Sequence, residues 1–213
     1  MATPANKLPT HSALLGAGYS VVVADGFAAL TVRRVAATAN ANLGSFVYHF
    51  GTRDRFVREL IEQWYAPVLA EMTVVVDSAA GPVDRLRRAI LQLVDFSAKQ
   101  DVFLGRLLMA AAAGDAPARE FLGSMSKRHP RLLIRLIRIA QAEGALVREQ
   151  PLQVLMFLMA SVGLPRLLAT AWQGPPLFGK SLSATLHRMA CDRLRIAQRL
   201  DWAIRGLTRE QSK

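Results

Sequence analysis

The sequence predicts an all-α protein, with a small N-terminal group of three helices followed by a larger helical region. Three observations predict this fold class. Apolar residues recur at helical spacing through most of the 213 residues. Apolar residues make up 52% of the chain and charged residues 20%, which is typical of a globular protein with a sizeable core. Internal repeats, low-complexity tracts and hairpin patterns are absent.

The first helix is predicted over residues 12–24, after a loose arm over residues 1–10. Leu14, Leu15, Val21 and Val22 fall on one side of it. Local propensity opposes this assignment, because the segment contains two glycines and because residues 19–23 alone resemble a strand. We favour the helix, since its neighbours are helical and no partner strand is evident.

Two short helices joined by a tight turn are predicted next. Thr31 is a suitable N-cap for a helix over residues 32–38. Asn40 falls where the turn needs left-handed geometry, which Asn tolerates better than any residue but Gly. Asn42 then caps a helix that reaches Phe50. This is the plan of a helix-turn-helix, whose second helix enters the DNA major groove.

A long helix follows, capped by Thr52, with Asp54 in its first turn and a kink expected at Pro67. The apolar stretch over residues 154–165 is too short to span a bilayer and is predicted to be a buried helix. Glycine- or proline-containing breaks separate the later helical patterns, which cover residues 83–99, 102–113, 117–145, 151–172 and 183–207.

The positive net charge favours a polyanionic partner, but only a small part of that charge lies in the helix-turn-helix region. The net charge is +11, of which residues 1–60 carry +3. The single cysteine, Cys191, excludes an internal disulfide, which fits the cytoplasm, and the N-terminus has no signal-peptide pattern. The four histidines follow no metal-ligand spacing, and phosphate-loop and nucleophile motifs are missing. We therefore expect a cytoplasmic protein that is not an enzyme, with no cofactor, metal or membrane partner.

Residues 12–60 resemble the DNA-binding domain of TetR-family transcriptional regulators. The matching positions run in order without gaps: Leu14-Leu15-x-Ala17, Asp25-Gly26-Phe27, Leu30-Thr31-Val32-x-x-Val35-Ala36, Asn42-x-Gly44-Ser45-Phe46-x-x-His49-Phe50, and Thr52-Arg53-Asp54 with Phe56. Beyond residue 60 the resemblance rests only on helical content and length. It implies a DNA-binding domain over residues 1–52 and a ligand-binding and dimerisation domain over residues 53–213.

The resemblance also implies which residues meet DNA. Val32 and Arg33 match positions that touch bases and backbone, and Tyr48, His49 and Arg53 match positions that hold phosphates. The full predicted set is Thr31, Val32, Arg33, Asn42, Leu43, Gly44, Ser45, Val47, Tyr48, His49 and Arg53. Val47 stands where the family usually has Tyr, so a thymine methyl contact is expected there in place of a hydroxyl contact.

The resemblance implies a homodimer that binds a palindromic operator and is released by a small molecule, most simply a repressor. The last two long helical patterns suit an intersubunit four-helix bundle. Residues of this kind more often belong to the core or the dimer interface, but they are also candidates for lining a ligand pocket: Phe103, Met109, Met156, Phe157, Met159 and Trp172. The effector could be hydrophobic or acidic.

Two features of the sequence, an arginine stripe and the overall basic charge, allow more than one interpretation. Arg128, Arg131, Arg135 and Arg138 fall on one helix face, which could be a solvated face, the mouth of an anionic ligand site or a contact with an acidic surface. The whole chain could alternatively be a basic helical protein that binds an acidic membrane or protein surface without recognising a DNA sequence.

Overall fold

The computed structural model describes residues 7–171 and 179–208. Within these ranges the chain forms α-helices and two short 3₁₀ turns and contains no strand, which confirms the predicted all-α class. No helix in the described ranges is long and apolar enough to cross a membrane. The helices are α1 (Lys7–Asp25), α2 (Val32–Thr38), α3 (Leu43–Phe50), α4 (Arg53–Val76), α5 (Pro82–Lys99), α6 (Asp101–Ala112), α7 (Ala116–Gly123), α8 (His129–Ala142), α9 (Pro151–Ala171), α10 (Lys180–Cys191) and α11 (Arg193–Leu207).

The first helix forms despite its glycines and its valine run. It extends over Lys7–Asp25, and the segment that resembles a strand lies inside it. Leu14 and Val22 are fully buried in the core. Gly18 has a packing role, since a Cβ built there would lie 2.8 Å from Cε1 of Phe56. The glycine therefore lets the Phe56 ring lie directly against the backbone of α1.

Two predicted long helices are each broken into two. The pattern over residues 117–145 divides into α7, a 3₁₀ turn over Met125–Lys127 and α8, because Pro130 suits the first turn of a helix and not its interior. The pattern over residues 183–207 divides at Asp192, whose carboxylate accepts a hydrogen bond from the backbone N–H of Arg195 and so begins α11. Pro67 lies inside α4, which continues past it.

The chain divides into two compact units. The first contains residues 1–67 and 97–126, and the second contains residues 68–96 and 127–213. The helix-turn-helix therefore shares its unit with α6 and α7, which follow it by some fifty residues in sequence. These units differ from a simple division at residue 52, and the independent domains over residues 1–52 and 53–213 stay a prediction.

Each unit has its own apolar core. In the first unit, the aromatic rings of α3 and α4 meet: Phe56 lies 5.1 Å from Phe46 and 4.9 Å from Phe50, centroid to centroid. In the second unit, Ile90, Leu136 and Leu158 are fully buried. The buried Gln141 donates to the carbonyls of Val147 and Glu149, which holds the turn after α8. Such complete burial fixes the helices that carry the surface residues described below.

Candidate nucleic-acid interface

The turn between α2 and α3 is built by backbone and cap hydrogen bonds. Thr31 Oγ1 accepts from the N–H of Arg34 (3.2 Å), and Asn42 Oδ1 accepts from the N–H of Ser45 (2.7 Å), as the two N-cap predictions require. Asn40 has a φ of 50°, the left-handed geometry expected of it. The N–H of Ala41 donates to the carbonyl of Ala36 (2.9 Å), which closes the helix in a Schellman-type cap.

α3 is held by one face and exposed on the other. Phe46 and Phe50 are buried, whereas Val47 and Tyr48 expose 56% and 65% of their surface. Leu43, one turn before Val47, is 46% exposed. Gly51 ends the helix with a φ of 69°, a conformation that favours glycine. The result is a short helix that presents a slim, largely apolar edge to solvent, which suits insertion into a major groove.

Arg33 is the cation of α2 that is available to a partner. Its side chain is exposed and forms no hydrogen bond or ion pair with the residues that the structure describes. The neighbouring Arg34, by contrast, forms an ion pair with Asp25. An exposed guanidinium with five free donors can bind a phosphate or read a guanine edge.

Arg53 has several protein partners, which the sequence did not indicate. Its Nε donates to the carbonyl of Leu30 (3.0 Å), and its Nη2 donates to the carbonyl of Phe27 (3.0 Å) and to Asp115 Oδ2 (2.7 Å). Its remaining terminal nitrogen lies 3.3 Å from Asp54. Each guanidinium nitrogen thus has a protein partner, which supports a structural role for Arg53, and its phosphate contact stays a prediction.

Two histidines form part of the packing beneath α3. His11 stacks on Phe50 (4.9 Å between centroids), and its Nε2 lies 2.7 Å from Glu59 Oε1. His49 packs edge-on against His11 at 5.4 Å. His49 is half-buried, so it supports the helix, and a phosphate contact from its exposed edge stays a prediction.

The sequence prediction missed Arg55. It lies in the first turn of α4, is exposed, and its side chain forms no hydrogen bond or ion pair within the described part of the chain. Arg58, one turn further on, is paired with Glu120 through two hydrogen bonds of 2.7 and 3.0 Å. That pairing lowers the pKa of the Glu120 carboxyl, because the hydrogen bonds from Arg58 stabilise its charged form. In the sequence, the three arginines look equally available to DNA. The structure distinguishes them, because acidic residues distant in sequence pair with Arg53 and Arg58 and, among the described residues, not with Arg55.

The predicted pocket residues do not gather around a described cavity. Phe103 is buried in the first unit, stacked on Trp64 (4.7 Å) and Tyr19 (5.3 Å). Met109, Met156 and Phe157 are more than half exposed, and Met159 is half-buried. Trp172 lies outside the described residues. Of the two grooves described in the second unit, neither is lined by any described member of this set. Ligand binding by these residues stays a prediction.

The fold and this exposed helix define a class: helix-turn-helix proteins with the fold of TetR-family regulators. The sequence matches no protein-family model and no curated protein. Three solved structures are similar in fold. The triclosan complex of SmeT has a TM-score of 0.70 at 20% identity, and the match covers 95% of this chain and 93% of that one.

The ketosteroid transcriptional regulator KstR2 of Mycobacterium tuberculosis has a TM-score of 0.62 at 21% identity, over 94% of this chain and 95% of that one. The TetR-family regulator PfmR of Thermus thermophilus has a TM-score of 0.63 at 16% identity, over 92% of this chain and 99% of that one. Likeness over nearly the whole of each chain means that the shared fold includes the helices beyond the helix-turn-helix. These similar proteins are transcriptional regulators by name or are seen with a bound small molecule.

Proposed function

We propose that this chain is a sequence-specific DNA-binding transcriptional regulator that acts as a homodimer and responds to a small molecule. The observation that carries the proposal is α3 itself: capped by Asn42, fixed by the buried rings of Phe46 and Phe50, and exposed along Leu43, Val47 and Tyr48. A helix so placed at the second position of a helix-turn-helix is the element that enters a major groove.

The proposed contacts divide into two kinds. Leu43 and Val47 would lie against base edges, where apolar side chains meet thymine methyl groups. Arg33 and Tyr48 would bind phosphates or bases, and Arg55 is a further phosphate candidate. Thr31 and Asn42 shape the helices, and Val32, Gly44 and Ser45 complete the surface. Arg53 would act by holding this arrangement.

A homodimer is supported by apolar side chains exposed on the last three helices. On α9, Leu152, Met156 and Leu164 are 52–65% exposed and stand at multiples of four residues. On α10, Leu182, Leu186 and Met189 are 43–51% exposed at spacings of four and three residues, and on α11 Trp202 is 55% exposed. A monomer seldom leaves so much apolar surface in water. Two copies that bury these faces would give a symmetric dimer, and dimer symmetry requires a palindromic operator.

The similar structures support the proposal that this chain responds to a small molecule. One was seen with triclosan and another is named for ketosteroids, which are properties of those proteins. For the present chain we propose a small-molecule effector and, most simply, repression, with cytoplasmic DNA as the target.

The test is selective binding to the DNA that flanks the gene of this chain. Fluorescence anisotropy with a labelled flanking fragment should show binding that unlabelled copies compete far better than random DNA does, with a specific-to-random ratio of at least about 10³. Equal competition, together with sedimentation on anionic vesicles, would instead support the alternative of a basic protein that binds acidic surfaces. Transcription from the same fragment, with and without the protein, then distinguishes repression from activation.

A further inference from the structure

A groove in the second unit combines a row of cations with an apolar floor. It lies along α8 and the end of α4 and has a volume of about 870 Å³, within the ~300–1,000 Å³ range of small-molecule sites. Lys127, Arg128, Arg131, Arg135 and Arg138 line it, and no acidic residue is among the lining residues. The groove therefore concentrates positive charge over roughly 15 Å of helix, at about 1.5 Å per residue.

Among the described residues, the charges of Arg131, Arg135 and Arg138 are at most weakly neutralised. Arg131 and Arg138 are exposed and form no side-chain hydrogen bond or ion pair with any described residue. Arg135 has one acid nearby, Asp77, at 3.9 Å, and both side chains are more than 60% exposed, so that pair is weak. Elsewhere in this unit, Arg193 is paired closely with Asp95 at 2.8 Å, and Arg87 is paired with Asp201.

The floor of the groove is apolar. Leu69 from α4 and Leu132 and Ile139 from α8 line it, and each is half-buried, with part of its surface open to the groove. Leu132 directly follows Arg131 in the sequence and lies in the groove beside the arginines. A concavity that combines cations with open aliphatic surface offers a ligand with a charged head and an apolar body a complementary site.

We infer that this groove binds a small amphipathic organic anion, with a phosphate or comparable dianionic head held by Arg131 and Arg135 and an apolar body over Leu69 and Leu132. Arg131 and Arg135 stand one helical turn apart, about 6 Å, so two guanidinium groups can converge on one head group. An apolar body would cover aliphatic surface that is otherwise in water. The groove residues belong to the second unit and α3 to the first, and occupancy of the groove does not require the chain to bind DNA.

The probe for this inference is octyl phosphate, titrated by calorimetry into the full-length protein below the micelle concentration. We expect saturable binding of one octyl phosphate per subunit, weakened at least tenfold in the double variant R131Q/R135Q. The matched control is R88Q/R119Q, which removes the same charge from exposed arginines outside the groove and should bind as the wild type does. Melting temperatures of all variants check that each is folded.

Three further titrations test each part of the site. Inorganic phosphate should bind at least tenfold more weakly than octyl phosphate, and so should octyl glucoside. Leu132→Ser should weaken octyl phosphate binding severalfold and leave inorganic phosphate binding unchanged.

Equal binding of inorganic phosphate or of octyl glucoside would overturn the inference, and so would wild-type affinity in R131Q/R135Q. Preferential binding to phosphatidylglycerol vesicles over monomeric octyl phosphate would show that a lipid surface occupies the groove and would also overturn it. None of these results depends on DNA binding, so a failure here leaves the proposed regulator intact.

Discussion

Arg53 Nη2 lies 2.7 Å from Asp115 Oδ2, across 62 residues of sequence. The same guanidinium donates to the carbonyls of Phe27 and Leu30, which precede α2. Asp115 in turn caps α7, since its other oxygen accepts from the N–H of Ala118 (3.2 Å). One ion pair therefore links the backbone at the start of the helix-turn-helix to the start of α7, within the first compact unit.

Replacing Arg53 should lower stability without removing a phosphate contact. We expect Arg53→Ala to lose about 1–3 kcal/mol of unfolding free energy, because two carbonyls and a half-buried carboxylate lose a charged donor. DNA affinity should fall with it, but the slope of log Kd against log salt should stay at the wild-type value. Urea unfolding and anisotropy titrations from 50 to 200 mM salt measure the two effects.

Arg33→Ala should have the opposite effect to Arg53→Ala: it should weaken DNA binding directly and leave stability unchanged. Arg33 is exposed and without a described partner, so its loss should leave the urea midpoint unchanged. If Arg33 binds a phosphate, the slope of log Kd against log salt should decrease in magnitude by about 0.9. If Arg33 reads a base, about 1–3 kcal/mol of binding free energy should be lost on specific DNA and none on random DNA. A reduced salt slope in Arg53→Ala, with full stability, would show instead that Arg53 meets phosphate.

The two glycines of α1 should respond in opposite ways to alanine. At Gly18 the added methyl would collide with the Phe56 ring, so Gly18→Ala should lose about 1–3 kcal/mol of unfolding free energy. At Gly16 nothing lies within 4 Å of the added carbon, so Gly16→Ala should gain up to about 1 kcal/mol from helix propensity. Thermal or urea unfolding measures the change in unfolding free energy of each variant. Equal changes for Gly18→Ala and Gly16→Ala would contradict the close packing of α1 on Phe56.

The proposed dimer should depend on α9 and α10. Met156→Glu combined with Leu186→Glu should give a monomer by sedimentation or light scattering, because two charges would be buried in each apolar face. Operator affinity should fall by at least about 100-fold with the loss of the second half-site. Val74→Glu is the control, since Val74 is 73% exposed on α4 and outside the proposed interface. A dimer that survives the double substitution would refute this interface.

His129 should make stability fall in mild acid. Burial, aided by the charge of Arg128, lowers the pKa of His129 from 6.5 to about 4. Between these two values the unfolded chain binds a proton that the folded chain does not, so the unfolding free energy decreases as pH falls from 6.5 to about 4 and then levels off. The contribution is up to about 3 kcal/mol. The difference between the wild type and His129→Gln across this range isolates it, and parallel pH profiles would argue against the shift.

Local signals in the sequence were sufficient for the helix-turn-helix. Caps at Thr31 and Asn42, a left-handed Asn40 and apolar spacing act within a few residues, so they can be identified without the fold. The helix breaks at Asp192 and over residues 124–128 were not predicted, because helical spacing of apolar residues resumes beyond each break. There the cap and proline chemistry prevailed over periodicity.

The sequence by itself determined that the chain is helical, where α2 and α3 begin and end, and which side chains of α3 are apolar, since these depend on neighbours a turn away. Only the tertiary structure decided what each charged or aromatic group does. Arg53 is held by Asp115, whereas Arg33 has no side-chain partner in the described part of the chain. Phe103 is core, and four arginines share a groove with Leu69. The physical reason is that hydrogen bonds, burial and charge pairing join residues far apart in sequence, so only packing settles which donors and apolar faces remain available to a partner.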